Sequence, residues 1–507
     1  MYIAVVGADP YKTVQLREDS RIPGTKKKKT NVLKSFGRYD ELLAEDPDFL
    51  EKLKAEARRL TKEQKEANKA VQISLPVAEI LKPEDAASSL SFGHALIAHL
   101  WRQLGLDTFF SSKIKRRNAD GLTQALYALS MHRICQPDSV LATVKNLKRF
   151  VGLKIQSLDL HYEALNVLYE YREELIDFLG RYFERQTKRK SDEAYYDVTT
   201  YYFESVRQGE LRMFGFSKDG KRNEVQVVMG LLIDSNGIPI TFELFPGNTV
   251  DQKTLKSAVS RLKEQYNLDK VTIVADRGLN GKDNLLYLEE ESHDFVVGYT
   301  LKNAAQEVID LALSEDGWTI DKVDQASGEV LHMSKIIPQK LELKCELSEE
   351  EKAALPRKRG RPRKYKDVEL DVNLHISWSA KRAERDRTER HRLLEKSRKL
   401  ADNPSLLEQN VRRGRNRYLD FRLDTEGLRI DEGKIAEQER YDGFYALVTN
   451  NKSLSGLEVS LLYDGLWTIE ESFRILKTDL KARPVFVWTD ERIHGHFALC
   501  FLALCIV

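Results

Sequence analysis

At Ala194 the spacing of apolar residues changes from a period of 3.6 to a period of 2. The order of elements that follows restricts the fold more than any other feature of the chain. "AYYDVTTYYFES" (Ala194 to Ser205), "EVQVVMGLLID" and "IPITFELFPG" read as three strands. "DQKTLKSAVSRLKEQYN" then reads as a helix, "VTIVAD" as a strand, "GKDNLLYLEEE" as a helix and "HDFVVGYT" as a strand. Three strands joined by short turns predict an antiparallel meander. Each later strand follows a helix and is expected to add a parallel neighbour, giving a mixed sheet covered by helices.

That order is the one an RNase H-like core has, and such a core needs a closing helix against its sheet. "LWTIEESFRILKTDL" near the carboxyl end is a candidate. The predicted fold class is therefore α/β, an RNase H-like mixed sheet interrupted by a long strand-rich insertion and preceded by a mainly helical region. Five segments are expected: 1–75, a small strand and helix region; 76–190, a helical region of the kind that either reads DNA ends or only caps a core; 191–299, the first part of the core; 300–460, a strand-rich basic insertion; and 461–507, the closing helices. In the first segment "YKTVQL" and "TNVLKSF" predict a hairpin around a basic turn at Lys26 to Lys29, and Leu53 and Leu60 suit a helix. Within the insertion, "WTIDKV", "GEVLHMSKIIP", "DVNLHISWSA", "RYLDFRLD" and "FYALVTN" are strand-like.

The net charge is only +2, from 81 basic and 79 acidic side chains, so the overall balance does not point to nucleic acid. The distribution does. "RKRGRPRKYK" (Arg357 to Lys366) holds seven basic residues and no acidic one, among them Arg357, Arg359, Arg361 and Arg363. Lys381 to Lys399 is helical in period with nine basic against four acidic residues, and "VRRGRNR" follows at 411–417. Such runs are either solvated faces or phosphate contacts, and "RGRP" also resembles a minor-groove hook. Four scattered cysteines exclude a disulfide framework or a paired-cysteine zinc site and suit a reducing compartment. The amino terminus lacks the basic leader of a signal peptide, and "FALCFLALCIV" (Phe497 to Val507) is too short to span a bilayer. That stretch reads as a buried helix, and it stops without a polar tail, as a shortened chain would. "HGH" at 494–496 reads as two histidines facing different ways near a helix start.

Two aspartates stand out in the strands. Asp197 sits among aromatic and β-branched residues, where an ionised group is seldom found unless it is paired or metal-bound. Asp276 closes "VTIVAD", and ligand sites in sheets with parallel neighbours lie at carboxyl ends of strands. Two nearby carboxylates repel unless a divalent cation holds them, and Glu470 on the closing helix can supply a third. Taken singly, each has a plainer reading. Asp276 can be a turn residue before Gly278, Asp197 can bond a threonine hydroxyl, and Glu470 can face water.

With these residues in place, the chain resembles DDE transposases of the IS4 superfamily, in particular the IS1634-like group with its long strand-rich insertion. The family's terminal signature is Tyr, two residues, Arg, three residues, Glu, six residues, Lys. Tyr463, Glu470 and Lys477 stand at those spacings, with Trp467 and Ile469 around the glutamate. Leu466 occupies the arginine position, and Arg474 on the same helix is the candidate to replace the lost guanidinium. The first family aspartate falls on Asp197 in "YDVTT" and the second on Asp276 in "VADRG".

The resemblance implies DNA cleavage at element ends followed by strand transfer into target DNA. Asp197, Asp276 and Glu470 would hold two Mg²⁺ ions, for which Mn²⁺ can stand in. Tyr463, Lys477 and Arg474 would contact DNA phosphates. Implied partners are double-stranded DNA, as terminal inverted repeats and target, and a second copy of the chain in a synaptic homodimer, with no membrane. The expected location is the nucleoid in the cytoplasm of a prokaryote. Two other readings stay open: a nuclease with the same core that cuts but never joins, and a domesticated DNA-binding protein without catalysis.

Overall fold

The structure, a computed structural model, describes residues 2–8, 11–21, 28–67, 91–187, 193–216, 223–266, 270–325, 327–347, 365–402, 418–420 and 429–507. It divides into two compact units, Met1–Glu79 and Ile80–Val507. All segments expected from residue 80 onward thus share one unit.

The first unit is a three-stranded antiparallel sheet of β1 (Tyr2–Val6), β2 (Thr13–Arg21) and β3 (Lys28–Arg38), followed by α1 (Tyr39–Glu45) and α2 (Phe49–Ala67). The expected hairpin forms, with β1 added on its far side. Lys28 and Lys29 belong to β3 rather than to the turn. Val14, Leu16, Phe49 and Ala57 form the buried positions, and Ala57 lies between Leu53 and Leu60 on the inward stripe of α2.

The second unit opens with helices α3 (His94–Gln103), α4 (Leu106–Lys113), α5 (Ala119–Cys135), α6 (Val140–Asn146), α7 (Leu158–Glu170) and α8 (Arg172–Thr187). Gly105, at φ 73°, makes the turn from α3 into α4. Ser139 and Ser157 cap α6 and α7 through hydroxyls that accept the backbone N–H groups of Ala142 and Leu160. The core follows as β4 (Glu193–Tyr202), β5 (Gln226–Asp234), β6 (Pro239–Pro246), α9 (Leu255–Tyr266), β7 (Thr272–Ala275), α10 (Lys282–Glu290) and β8 (Asp294–Tyr299). Next come α11 (Gln306–Leu313), β9 (Thr319–Val323), β10 (Val330–Glu346), β11 (Tyr365–Ser379), α12 (Ala380–Asp402), β12 (Leu419–Asp420), β13 (Arg429–Ile430), α13 (Glu432–Glu439) and β14 (Phe444–Thr449). The chain ends in α14 (Gly456–Asp464), α15 (Trp467–Arg474) and α16 (Asp490–Ile506).

Among the described residues the sheet has nine strands in the order β6-β5-β4-β7-β8-β14-β11-β10-β9. β4, β5 and β6 form the antiparallel meander, and β7 and β8 run parallel to β4. This is the RNase H-like arrangement that the element order predicts. The strands of the insertion extend the same sheet. β14 pairs antiparallel with β8, and β11, β10 and β9 continue outward. Without β14 the edge of β8 would present a row of unpaired backbone groups.

Alternation along the strands sorts the core into two layers. Tyr195, Tyr201, Met229, Leu231 and Val274 face α15, α16 and the amino-terminal helices. Tyr196, Val198, Val228, Ile273 and Ala275 face α9 and α10. The apolar "FALCFLALC" run forms the buried body of α16, with Phe497 edge-on to Tyr201 and Phe501 against Phe242. α16 also packs on α7 and α5. The carboxyl terminus therefore ties the helical region to the sheet. Among the described residues no helix is long and apolar enough to cross a membrane.

At Gly495, α16 approaches α7 so closely that a Cβ would stand 2.0 Å from the Leu165 carbonyl oxygen. Gly→Ala inside an exposed helix ordinarily stabilises by about 1 kcal/mol. Here the sign should reverse. Gly495→Ala is expected to cost about 1–3 kcal/mol through overpacking, read as a lower urea midpoint.

Candidate active site

The register of two parallel strands brings the aspartates together. Tyr196 of β4 pairs with Ala275 of β7, so the next positions on the two strands are Asp197 and Asp276. Both continue the parity of Tyr195 and Val274, which places them toward the layer that α15 covers. Asp197 is half-buried, and Asp276 is exposed where β7 ends.

Three contacts fix the closing helices over these strands. The Tyr463 hydroxyl donates to Asp276 Oδ1 at 3.2 Å. Gly465 lies against Tyr195, where a Cβ would come within 2.2 Å of the tyrosine oxygen. Lys477 Nζ donates to the Thr199 hydroxyl and stands 5.8 Å from the centroid of the Tyr201 ring. Thr199 is two positions from Asp197 on the same face. The turn carrying Lys477 is π-helical, Ile475–Asp479. It inserts an extra residue per turn and so changes the direction in which the lysine leaves the helix.

Glu470 lies on α15 between the Gly465 and Lys477 anchors. It is exposed and lines a cleft of about 1040 Å³ together with Tyr463 and Asp464, while Lys381, Arg382, Arg385 and Arg392 of α12 contribute basic groups to the lining. No hydrogen bond or ion pair within the described residues holds its carboxylate. Its neighbour Glu471 is held: both its oxygens accept from Arg474 at 2.7 Å, which lowers the pKa of the carboxyl. Arg474 also reaches Asp479 at 3.2 Å. The guanidinium expected to replace the missing family arginine is thus engaged along its own helix. Leu466 is buried in the core at the start of α15. A guanidinium there would have to leave water for an apolar layer.

Tyr463 is more enclosed than a phosphate contact on an open surface. Burial raises the pKa of its hydroxyl, and the neighbouring Tyr445 and Asp276 raise it further. The two tyrosine rings lie 5.4 Å apart. Tyr463 therefore keeps its proton and orients Asp276. The histidines at 494 and 496 face different ways, as expected. His494 Nδ1 accepts from Arg172 at 2.8 Å, and His496 Nε2 lies 2.9 Å from the Ala482 carbonyl oxygen.

Asp197, Asp276 and Glu470 offer hard carboxylate oxygens, the donor type that Mg²⁺ takes. Their chemistry fits such an ion. Among the described residues, however, no three His, Cys, Asp or Glu side chains stand close enough together to hold one. Two of the three carboxylates are neighbours by register, and the third sits on the helix clamped over them. Arg357, Arg359, Arg361 and Arg363, with the basic stretch at 411–417, lie outside the described residues.

Sequence reasoning missed Arg277, Arg382 and Tyr445 beside Asp276. "ADRG" placed Arg277 next to the aspartate from the start. Arg382 was legible only as one charge in a basic helix.

A family model described as "Transposase DDE domain" matches residues 207–506. The matched stretch includes Asp276, Tyr463, Glu470 and Lys477 and begins after the strand that carries Asp197. A solved piggyBac transposase synaptic complex with hairpin DNA is similar at 9% identity and a TM-score of 0.35, over 82% of this chain and 73% of that one. No curated protein matches the chain.

Proposed function

We propose, from the premise that the chain belongs to the transposase DDE-domain family, that it cuts DNA at the ends of a mobile element and joins them to target DNA. Within the family we assign it to the IS1634-like group of the IS4 superfamily, acting as a homodimer at the nucleoid of a prokaryotic cell. The observation that carries the reading is the register of β4 and β7: Asp197 and Asp276 each follow its last pair, Tyr196 and Ala275, beneath the helix of Glu470.

Asp197, Asp276 and Glu470 would hold the Mg²⁺ ions. When bound, such ions supply charge stabilisation at the phosphate and activation of the attacking oxygen. The chain's own groups do the positioning. Tyr463 holds Asp276 Oδ1 in place with a proton that burial keeps on it. Lys477 puts a cation beside Thr199, two positions from Asp197, where it can fix a backbone phosphate. The basic residues of α12 that line the cleft offer further contacts along the DNA.

The test is a nicking and joining assay on the DNA that flanks the gene. Mg²⁺ should support both steps, and chelation should stop both while DNA binding persists. Cutting without joined product would favour the nuclease reading. Binding without either step would favour a non-catalytic protein. Lys477→Ala should weaken end positioning and joining more than it weakens duplex binding.

The 357–366 run gives a separate expectation. If its arginines contact phosphates, neutralising Arg357, Arg359, Arg361 and Arg363 together should reduce the salt slope of binding by about 3–4, roughly 0.9 for each contact. The loss should be alike on unrelated sequences. An unchanged slope would make the run a solvated loop.

A further inference from the structure

Arg277 follows Asp276 and stands exposed at the carboxyl end of β7. No hydrogen bond or ion pair within the described residues engages its guanidinium. Across from it, Arg382 leaves α12 and lies over the Tyr445 ring, 4.3 Å from the centroid. Arg382 Nε is buried without a hydrogen-bond partner among the described residues. Its nearest carboxylate, Asp386, is 3.8 Å away and already accepts from the Gly443 N–H. The two arginines line one cavity of about 250 Å³.

Most other charges in that cavity are spent. Arg390 and Asp442 form a two-bond pair at 2.5 and 2.7 Å. Lys302 at the rim donates to Gln438. What remains is a pair of like-charged guanidinium groups held near one another, with Asp386 and Glu389 as the acidic groups facing them. Holding two cations together without a shared anion is unfavourable. Planar guanidinium forks suit the oxygens of a phosphate, and two forks can share one.

The cavity lies beside the candidate site. Tyr445 forms one wall, and its ring lies 5.4 Å from that of Tyr463, whose hydroxyl donates to Asp276. An anion between the arginines would thus lie two packed tyrosine rings away from a carboxylate of the candidate site.

We propose that Arg277 and Arg382 form a two-arginine clamp for a single DNA backbone phosphate next to the one that is cut. This rests on the reading of the chain as a DNA-cutting transposase. Arg277, attached to Asp276, would fix the register of the strand against the carboxylates. Arg382, reaching in from the insertion, would make α12 part of the same grip. Both are positioning residues; neither touches the bond that breaks.

The experiment uses the full chain in EDTA, so that binding is read without cleavage. The probe is a fluorescein-labelled duplex of the DNA flanking the gene, with a neutral methylphosphonate placed at successive positions around the end. Wild-type protein should lose affinity on the order of tenfold when the clamped phosphate is neutralised, the scale of one charged hydrogen-bonding contact. Arg277→Gln, Arg382→Gln and the double variant should each bind the unmodified duplex more weakly. The double variant should be indifferent to the methylphosphonate at that one position and sensitive elsewhere. Because both arginines share one phosphate, the double variant should flatten the salt slope by about one, not two.

Thermal melts accompany the variants. Arg382→Lys keeps the charge but not the planar fork, and should recover part of the affinity. A double variant that keeps wild-type sensitivity at every position would overturn the clamp while leaving the transposase reading intact. Failure of the wild-type protein to bind any duplex would overturn that reading itself.

Discussion

Glu470→Gln is expected to abolish cleavage and joining while leaving duplex binding close to wild type. The side chain is exposed, so the change should alter stability by less than about 0.5 kcal/mol. Gln keeps the size and polarity of Glu and fits the first turn of α15 equally well. It loses the negative charge needed to hold a divalent cation. A metal contributes several kcal/mol of charge stabilisation to phosphoryl chemistry, so the rate should fall on the order of a thousandfold. Binding depends on basic groups that the substitution does not touch. Glu471→Gln is the matched control. It removes the same charge one residue along, from a carboxylate already paired with Arg474 on the helix surface, and should leave nicking unchanged. The measurement is a gel assay of nicking and joining in Mg²⁺ beside a mobility-shift titration at fixed salt. Full nicking by the Glu470→Gln variant would return Glu470 to the role of a solvated helix residue.

The core strands were legible because each carries its own signal. β4 to β8 are rich in Val, Ile, Tyr and Phe, and turns and amphipathic helices separate them. Their pairing followed from the order of elements, and with it the nearness of Asp197 to Asp276. The insertion was legible only in pieces. β10 and β11 run further than their apolar stretches because their outer ends, such as "LELKCE" and "YKDVEL", alternate charged with apolar residues. That these strands join the main sheet is not written in them. It depends on the open edge of β8, to which β14 happens to be complementary. The arginine pair was hidden for a similar reason. Arg277 and Arg382 are far apart in sequence, and a charge in a basic helix shows nothing of what it faces until the helix has a place. Lys477 shows a third limit. A uniform α-helix predicts one direction for it, and the π turn sets another.

Acid should unfold the second unit over a window set by buried histidines. Burial pushes the imidazoles of His132 and His375 down to about 4 and that of His496 to about 3. All three are nearly inaccessible to solvent. Their surroundings differ. His132 also feels Asp138 and Arg133, and its Nδ1 lies 3.2 Å from the Thr143 hydroxyl. His496 has Arg133 nearby, with the Cys500 sulfur 3.8 Å away. His375, on β11, has no partner for either ring nitrogen among the described residues. In the unfolded chain these rings titrate near 6.5. Below that pH the unfolded state takes up protons that the folded state refuses, so stability falls as the pH drops. The stabilisation is complete above about pH 6.5 and is lost progressively toward the folded values near 4 and 3. Each ring contributes a slope of about 1.4 kcal/mol per pH unit, and three together about 4, against a typical total of roughly 5–15 kcal/mol. Carboxylates whose pKa the fold lowers, such as Glu458 and Asp431, act only at and below the ordinary acid range. Urea midpoints should therefore be level from pH 8 to 7 and fall steeply below pH 6. His375→Leu isolates one ring. It replaces two unsatisfied nitrogens with apolar atoms of similar bulk, so it should leave stability at pH 7 unchanged or raised and remove about 1.4 kcal/mol per pH unit from the slope. A flat profile between pH 7 and 5 in the parent protein would mean that these imidazoles reach water, and that the layers of the sheet they sit in are not closed.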